Sequence, residues 1–160
     1  VLATDLPVLV DADGLTVLAQ NLDLVRGRSA PTLLTPHAGE FARLAGTGVG
    51  DDRLSAVRAL AAELGATVLL KGRITLVATP TGRVYGNDAG SSWAATAGAG
   101  DVLTGIAGSL LAAGLEPALA GACAARVHAL AAARAAAGAP IGASALLAAV
   151  RPVIRDLRNA

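Results

Sequence analysis

A layered α/β domain with a mostly parallel central sheet is predicted by three observations in the 160-residue sequence. Four-residue apolar runs alternate with stretches of helical spacing through the first half of the chain. These runs stop at Gly, Pro or acidic residues instead of alternating with polar positions, so each reads as a strand buried on both faces. After a stretch of small residues at 94–100 only helical patterns follow. Strands interleaved with helices and then helices alone place helical layers against a sheet.

Taken in order, 7–10 form a first strand ending in Asp11-Ala12-Asp13-Gly14, with acids at its carboxyl end. Residues 14–22 have helical spacing. A second strand at 31–34 leads into Thr35, which can cap a helix, and Pro36, which suits a first turn, so 37–45 is that helix. Asp51 opens a stronger helix to Leu64, with Leu54, Val57, Ala61 and Leu64 on one face and Gly65 as its stop. Residues 67–70 are a third buried strand. The runs 74–78 and 83–85 flank Pro80-Thr81-Gly82, a hairpin with glycine in its turn, which adds an antiparallel element. Helices are expected at 101–114, 117–137 and 143–157. Only about three strands precede the hairpin, fewer than a covered parallel sheet needs. Residues 1–160 therefore read as one domain that lacks its amino-terminal elements.

The composition narrows the functional classes. Hydrophobic residues make up 54% of the chain, enough for a core and too many for a disordered tail. The charged fraction is 16% and the net charge +1, so nucleic acid is not an expected partner. The mean hydropathy of +0.58 is high, yet the apolar runs break at Glu116, Arg126 and Gly138 before reaching the ~18 residues that span a bilayer, so no membrane partner is expected either. No basic segment precedes an apolar stretch and cleavage site at the amino terminus. Cys123 stands alone and cannot form an intramolecular disulfide, which suits a reducing cytoplasm. Lys71 is the sole lysine among arginines, and a compact ammonium at a crowded phosphate is not replaceable by a guanidinium. Exposed apolar surface on the alanine-rich helices would suit a homo-oligomer, although interior burial explains the same residues.

Three segments carry candidate chemistry. Gly98-Ala99-Gly100-Asp101 opens a helix: glycines let the backbone approach a ligand, and first-turn amides with the helix dipole favour an anion. Asp101 there is placed to accept a proton from a substrate hydroxyl, or simply to cap the helix. Lys71-Gly72-Arg73-Ile74-Thr75 follows a strand end, where the ammonium and hydroxyl reach phosphate or ribose oxygens; a plain turn accounts for the same residues. His37 lies where a strand hands over to a helix, at the crevice edge at which open α/β sheets bind ligands, or is structural. Glu40 is explained by the helix dipole and His128, mid-helix among alanines, has no assigned role. No residue is assigned as a metal ligand.

These segments, in this order, resemble the ADP-dependent NAD(P)H-hydrate dehydratases, a branch of the ribokinase-like superfamily. The likeness runs from Asp11 to about His128. It is carried by 34–44 around His37, by 70–75 with 78–85, and by 95–105 around Asp101; the His37 segment is the most specific. The chain departs from the family at Ile74, often a second glycine, and at Ser91-Ser92, often Asn-Pro. The resemblance implies a ribokinase-like α/β/α fold and a repair reaction, in which the 6-hydroxyl of hydrated NADH or NADPH is phosphorylated by ADP and then eliminated. It further implies Asp101 as base and substrate contact, His37 against the hydrated cofactor, and Lys71, Gly72, Arg73, Ile74, Thr75, Gly98 and Gly100 around the nucleotide. ADP would be the co-substrate, Mg²⁺ would bridge phosphates, and an epimerase domain is a frequent upstream companion. Two other readings share part of this pattern: a kinase of a small alcohol such as hydroxyethylthiazole, and a nucleotide-binding domain without catalysis.

Overall fold

The computed structural model describes residues 1–160, which form a five-stranded sheet between layers of helices. The elements in chain order are β1 (Val8–Val10), α1 (Asp13–Leu18), a 3-10 turn (Leu22–Leu24), β2 (Thr32–Leu34), α2 (Ala38–Ala45), α3 (Arg53–Leu64), β3 (Thr67–Leu70), β4 (Ile74–Ala78), β5 (Val84–Asp88), α4 (Ala99–Ala112), α5 (Pro117–Ala136) and α6 (Ala143–Arg158). The strands lie in sequence order. β1, β2 and β3 pair in parallel, with Leu9 opposite Leu33 and Leu34 opposite Val68. β4 runs against both β3 and β5, so it alone points the other way. The sheet is therefore mixed, and the mostly parallel expectation is met only loosely: two of the four pairings are parallel, and the β3–β4 and β4–β5 pairings are antiparallel.

The two-residue period of the strands sorts their side chains into two cores. Leu34, Val68, Leu70 and Ala78 face α1, α2 and α3, packing on Leu15, Leu18, Phe41, Leu44 and the Val57–Leu64 stripe. Leu33, Leu69 and Val77 face the opposite side, under Leu103, Ile106 and Leu111 of α4 and Ala118 and Ala124 of α5. Both sets are apolar because both faces are covered, which is why the strands read as continuous runs. Full burial of one such leucine is worth about 1.5–3 kcal/mol. On the outside of α5, Leu146, Ala149 and Val153 of α6 close a third cluster with Ala131, Ala132 and Ala99. α5 lies close to the sheet: a Cβ at Gly121 would sit 3.2 Å from Val77 Cγ1 and 3.4 Å from Leu69 Cδ1.

Several boundaries differ from the sequence expectation. α1 ends at Leu18, where Asn21 Nδ2 donates to the Val17 carbonyl at 3.1 Å and so competes with another helical turn. Thr35 does not cap α2, because it is buried with its hydroxyl donating to the Val10 carbonyl at 3.3 Å; His37 is the cap. Asp52, not Asp51, caps α3, its Oδ1 accepting from Ser55 N at 2.9 Å. β5 extends to Asp88, opposite Ile74, through polar residues that give no strand signal. α4 begins at Ala99, ahead of Asp101. No helix is long and apolar enough to cross a membrane.

Candidate active site

The carboxyl ends of β1, β2 and β3 converge on the first turn of α4, the crevice position expected of an open α/β sheet. A cleft of about 520 Å³ opens there, within the size range of a nucleotide-sized ligand pocket. One wall is Lys71, Gly72 and Arg73 after β3, with Thr75 and Asn87 from the hairpin. Gly100 and Leu103 of α4 form the opposite wall. His37 stands at one edge, and Ala125, His128, Ala129 and Ala132 of α5 supply an apolar end.

The lysine is held by charge. Lys71 Nζ donates to Asp11 Oδ1 at 2.7 Å and lies 3.6 Å from Glu40 Oε2. Burial pushes the Asp11 pKa up, but hydrogen bonds from Lys71 and Thr104 and the lysine's charge outweigh it and hold the carboxyl below its ordinary value of 3.8. A depressed carboxyl stabilises the fold above its unfolded-state pKa and loses that contribution as pH falls through its folded one. Urea unfolding of the unsubstituted protein and Asp11→Asn is therefore expected to show a stability difference that is full above about pH 5 and shrinks below the ordinary carboxyl value. A difference constant down to the acid limit would contradict the assignment.

The loop after Lys71 is braced from behind. Arg53, the first residue of α3, donates to the carbonyls of Lys71 at 3.3 Å and Ile74 at 3.4 Å. Gly72 leaves room for this, since a Cβ there would lie 2.6 Å from Arg53 Nη2. Thr75 donates its hydroxyl to the Gly72 carbonyl at 3.1 Å, which closes the turn.

His37 caps α2 through its ring. Nδ1 accepts from the amides of Gly39 at 2.9 Å and Glu40 at 3.2 Å, while Glu40 Oε2 accepts from the His37 amide at 2.7 Å. In this reciprocal capping box Nδ1 is the acceptor, and Nε2 lies 3.5 Å from Glu40 Oε1 at the edge of the cleft. Glu40 thus does more than answer the helix dipole. It fixes the His37 backbone and flanks Lys71.

At α4, the Gly98 cap adopts a left-handed φ of 83°, and the amides of Gly100 and Asp101 in the first turn have no carbonyl four residues back within the helix. Such amides at a helix N-terminus favour an anion. A Cβ on Gly100 would lie 3.7 Å from Lys71 Nζ, so ammonium and amide flank the same space. Asp101 is exposed in that first turn.

The structure brings His37, Lys71, Gly72, Arg73, Thr75 and Gly100 to one cleft. Gly98, Ile74 and Asp101 lie next to it but outside its wall; Ile74 is half exposed on the hairpin. Sequence reasoning passed over Asp11 as a partner of Lys71, Asn87, and His128, whose Nε2 lies 2.9 Å from the Ala99 carbonyl at the start of α4. A carbonyl can only accept, so Nε2 donates; burial pushes the His128 pKa down, and the bond to that carbonyl only partly opposes the shift. A mid-helix histidine among alanines gives no signal of this. Asp11 at a strand's carboxyl end gave one, but not the identity of its partner sixty positions on.

Comparison with known proteins gives the context for this geometry. The model of one family, described as NAD(P)H-hydrate dehydratase, matches residues 1–151. The chain belongs to the NAD(P)H-hydrate dehydratase family. Among members, it is 61% identical to a bifunctional NAD(P)H-hydrate repair enzyme of Mycobacterium leprae over 98% of this chain and 34% of that protein. It is 48% identical to an ADP-dependent (S)-NAD(P)H-hydrate dehydratase of Neisseria meningitidis serogroup B over 98% of this chain and 54% of that protein. A crystal structure of the ADP/ATP-dependent NAD(P)H-hydrate dehydratase of Bacillus subtilis, co-crystallised with ATP and Mg²⁺, superposes with a TM-score of 0.82 at 29% identity, covering 98% of this chain and 58% of that one. The ribokinase-like layering expected from the sequence is therefore present in this member of the dehydratase family. The chain spans between about a third and somewhat over half the length of these relatives.

Proposed function

We propose that the protein containing this chain is an ADP-dependent dehydratase that restores NADH or NADPH from its 6-hydroxylated hydrate, releasing AMP and phosphate. The observation that carries the reading is the convergence of His37, the Lys71–Arg73 loop and the first turn of α4 on one cleft. Family membership and the activity for which a relative is named support it.

In this reading the α4 amides and Lys71 hold the transferring phosphoryl oxygens, where fixed donors stabilise developing charge. Gly98, Gly100 and the residues from Lys71 to Thr75 surround the nucleotide, Ile74 from its flank. His37 touches the hydrated cofactor from the edge of the cleft. Asp101 accepts the proton of the 6-hydroxyl as that oxygen bonds to the β-phosphorus of ADP and the bond to AMP breaks. Loss of the phosphate with a ring proton then re-forms the dihydronicotinamide double bond. No group of three or more His, Cys, Asp or Glu side chains converges. That fits Mg²⁺ carried on the nucleotide phosphates and not in a cage of protein ligands. When bound, Mg²⁺ would neutralise phosphate charge. A cytoplasmic setting and an epimerase domain elsewhere in the full protein belong to the same proposal; that one relative is named as bifunctional is in keeping with a second activity.

The test is a coupled absorbance assay on the full-length protein. Hydrated NADH is expected to regain the dihydronicotinamide band when ADP and Mg²⁺ are added, with AMP formed in equal amount. AMP formation dependent on a small alcohol, without recovery of the band, would replace this reading with a kinase.

A further inference from the structure

Asp11 touches two distant parts of the chain without lining the cleft. Its Oδ1 accepts from Lys71 Nζ at 2.7 Å and its Oδ2 from the Thr104 hydroxyl at 2.6 Å. The Asp11 side chain is 10% exposed and the Lys71 side chain 18%, so both atoms of the pair are largely withdrawn from water. The next residue, Ala12, adopts φ 48° and ψ −123°, a conformation that L-residues avoid. Backbone strain of this kind persists only where surrounding contacts over-determine it, and here both oxygens of the adjoining Asp11 carboxylate are tied down, one to Lys71 after β3 and one to Thr104 of α4.

An ammonium has three donors. One is taken by Asp11 and a second faces Glu40 Oε2 at 3.6 Å, which leaves one for the cleft beside Gly100. Without an anchor, the four-carbon stem of lysine would sample many rotamers, and ordering it would be charged against ligand binding.

We infer that Asp11 is a positioning residue: with Thr104 as its second anchor on α4, it holds Lys71 so that the ammonium and the Gly100 amide meet the same phosphate group. This rests on the nucleotide reading of the cleft. It also makes a prediction of sign. If Asp11 mattered only as a negative charge near phosphate, its removal would tighten nucleotide binding. If it positions Lys71, its removal weakens binding, and only while Lys71 is present.

Calorimetric titration of ADP into the full-length protein and four variants decides between these: Asp11→Ala, Lys71→Met, the double variant, and Thr104→Val, with circular dichroism confirming that each is folded. Asp11→Ala is expected to weaken ADP about tenfold, the scale of one charge-assisted hydrogen bond, and to cause no weakening in the Lys71→Met protein. Thr104→Val, which keeps both charges and carries the test should Asp11→Ala not fold, is expected to weaken ADP about threefold. Tighter or unchanged binding in both Asp11→Ala and Thr104→Val overturns the inference. So does an equal loss with and without Lys71, which would mark a general structural role. An unsubstituted protein without ADP affinity would bring down the nucleotide reading as well, whereas binding that is indifferent to Asp11 brings down only the positioning role.

Discussion

Asp101→Asn is expected to bind ADP within about twofold of the unsubstituted protein and to turn over at least ~10²-fold more slowly, the usual range for a general base. The two effects separate because of where Asp101 stands. It is exposed in the first turn of α4, and the cap is Gly98, so its carboxylate is not needed to begin the helix. Asn keeps the size and a polar oxygen, losing mainly the favourable interaction of a carboxylate with the helix dipole, about 0.3–1 kcal/mol. The Gly100 amide, Lys71 and the braced loop are untouched, so the phosphate end of the cleft is preserved. What Asn cannot do is take a proton from the substrate hydroxyl. Steady-state turnover and ADP calorimetry on the same preparation provide the measurement. Turnover retained within about threefold would remove Asp101 from the chemistry, because a base contributes far more than that.

Gly98→Ala is expected to cost about 2 kcal/mol of stability and at least about tenfold in ADP affinity, for two reasons that can be taken apart. Gly98 has φ 83°, and a left-handed conformation costs an alanine roughly 1–2 kcal/mol. The added Cβ would also lie 3.0 Å from Ala143 Cβ at the start of α6, closer than methyl groups settle. Relief requires the first turn of α4 to move, and that turn presents the amides of Gly100 and Asp101. Adding Ala143→Gly removes the contact but not the conformational penalty, so the double variant should recover part of the stability and part of the affinity. Thermal unfolding and calorimetry of both proteins test this. Equal stability of Gly98→Ala and the unsubstituted protein would contradict the geometry at the cap.

Much of this architecture could be read from the sequence because it rests on local patterns. The apolar run at 67–70 is buried on both faces, as the composition of β3 demanded, and Gly82 lies in the hairpin turn as expected. The three candidate segments were recognised individually, since each has its own glycine, lysine or histidine in a telling place. What stayed hidden depends on distance. Lys71 and Asp11 are brought together by parallel pairing of strands that the sequence does not order, and Thr104 joins them from a helix one face away. His37 shows a different failure: its ring replaces the usual Ser, Thr, Asp or Asn at a helix start, so a rule based on those residues chose Thr35 instead. His128 meets the cleft only because α5 passes behind α4, and its flanking alanines carry no mark of that approach.

The alanines of α5 have a consequence of their own. Ala118 and Ala124 rest on the sheet, Ala131 and Ala132 on α6, and Ala125, Ala129 and Ala132 border the opening beside α4. A side chain enlarged on the opening's border cannot be absorbed by retreat of the helix, because methyl groups already touch on its other sides and interiors do not yield. The breadth of the space is thus graduated in single carbon atoms. Selection for a bulkier or slimmer occupant could proceed one methyl at a time along this rod while the strands beneath stay where they are.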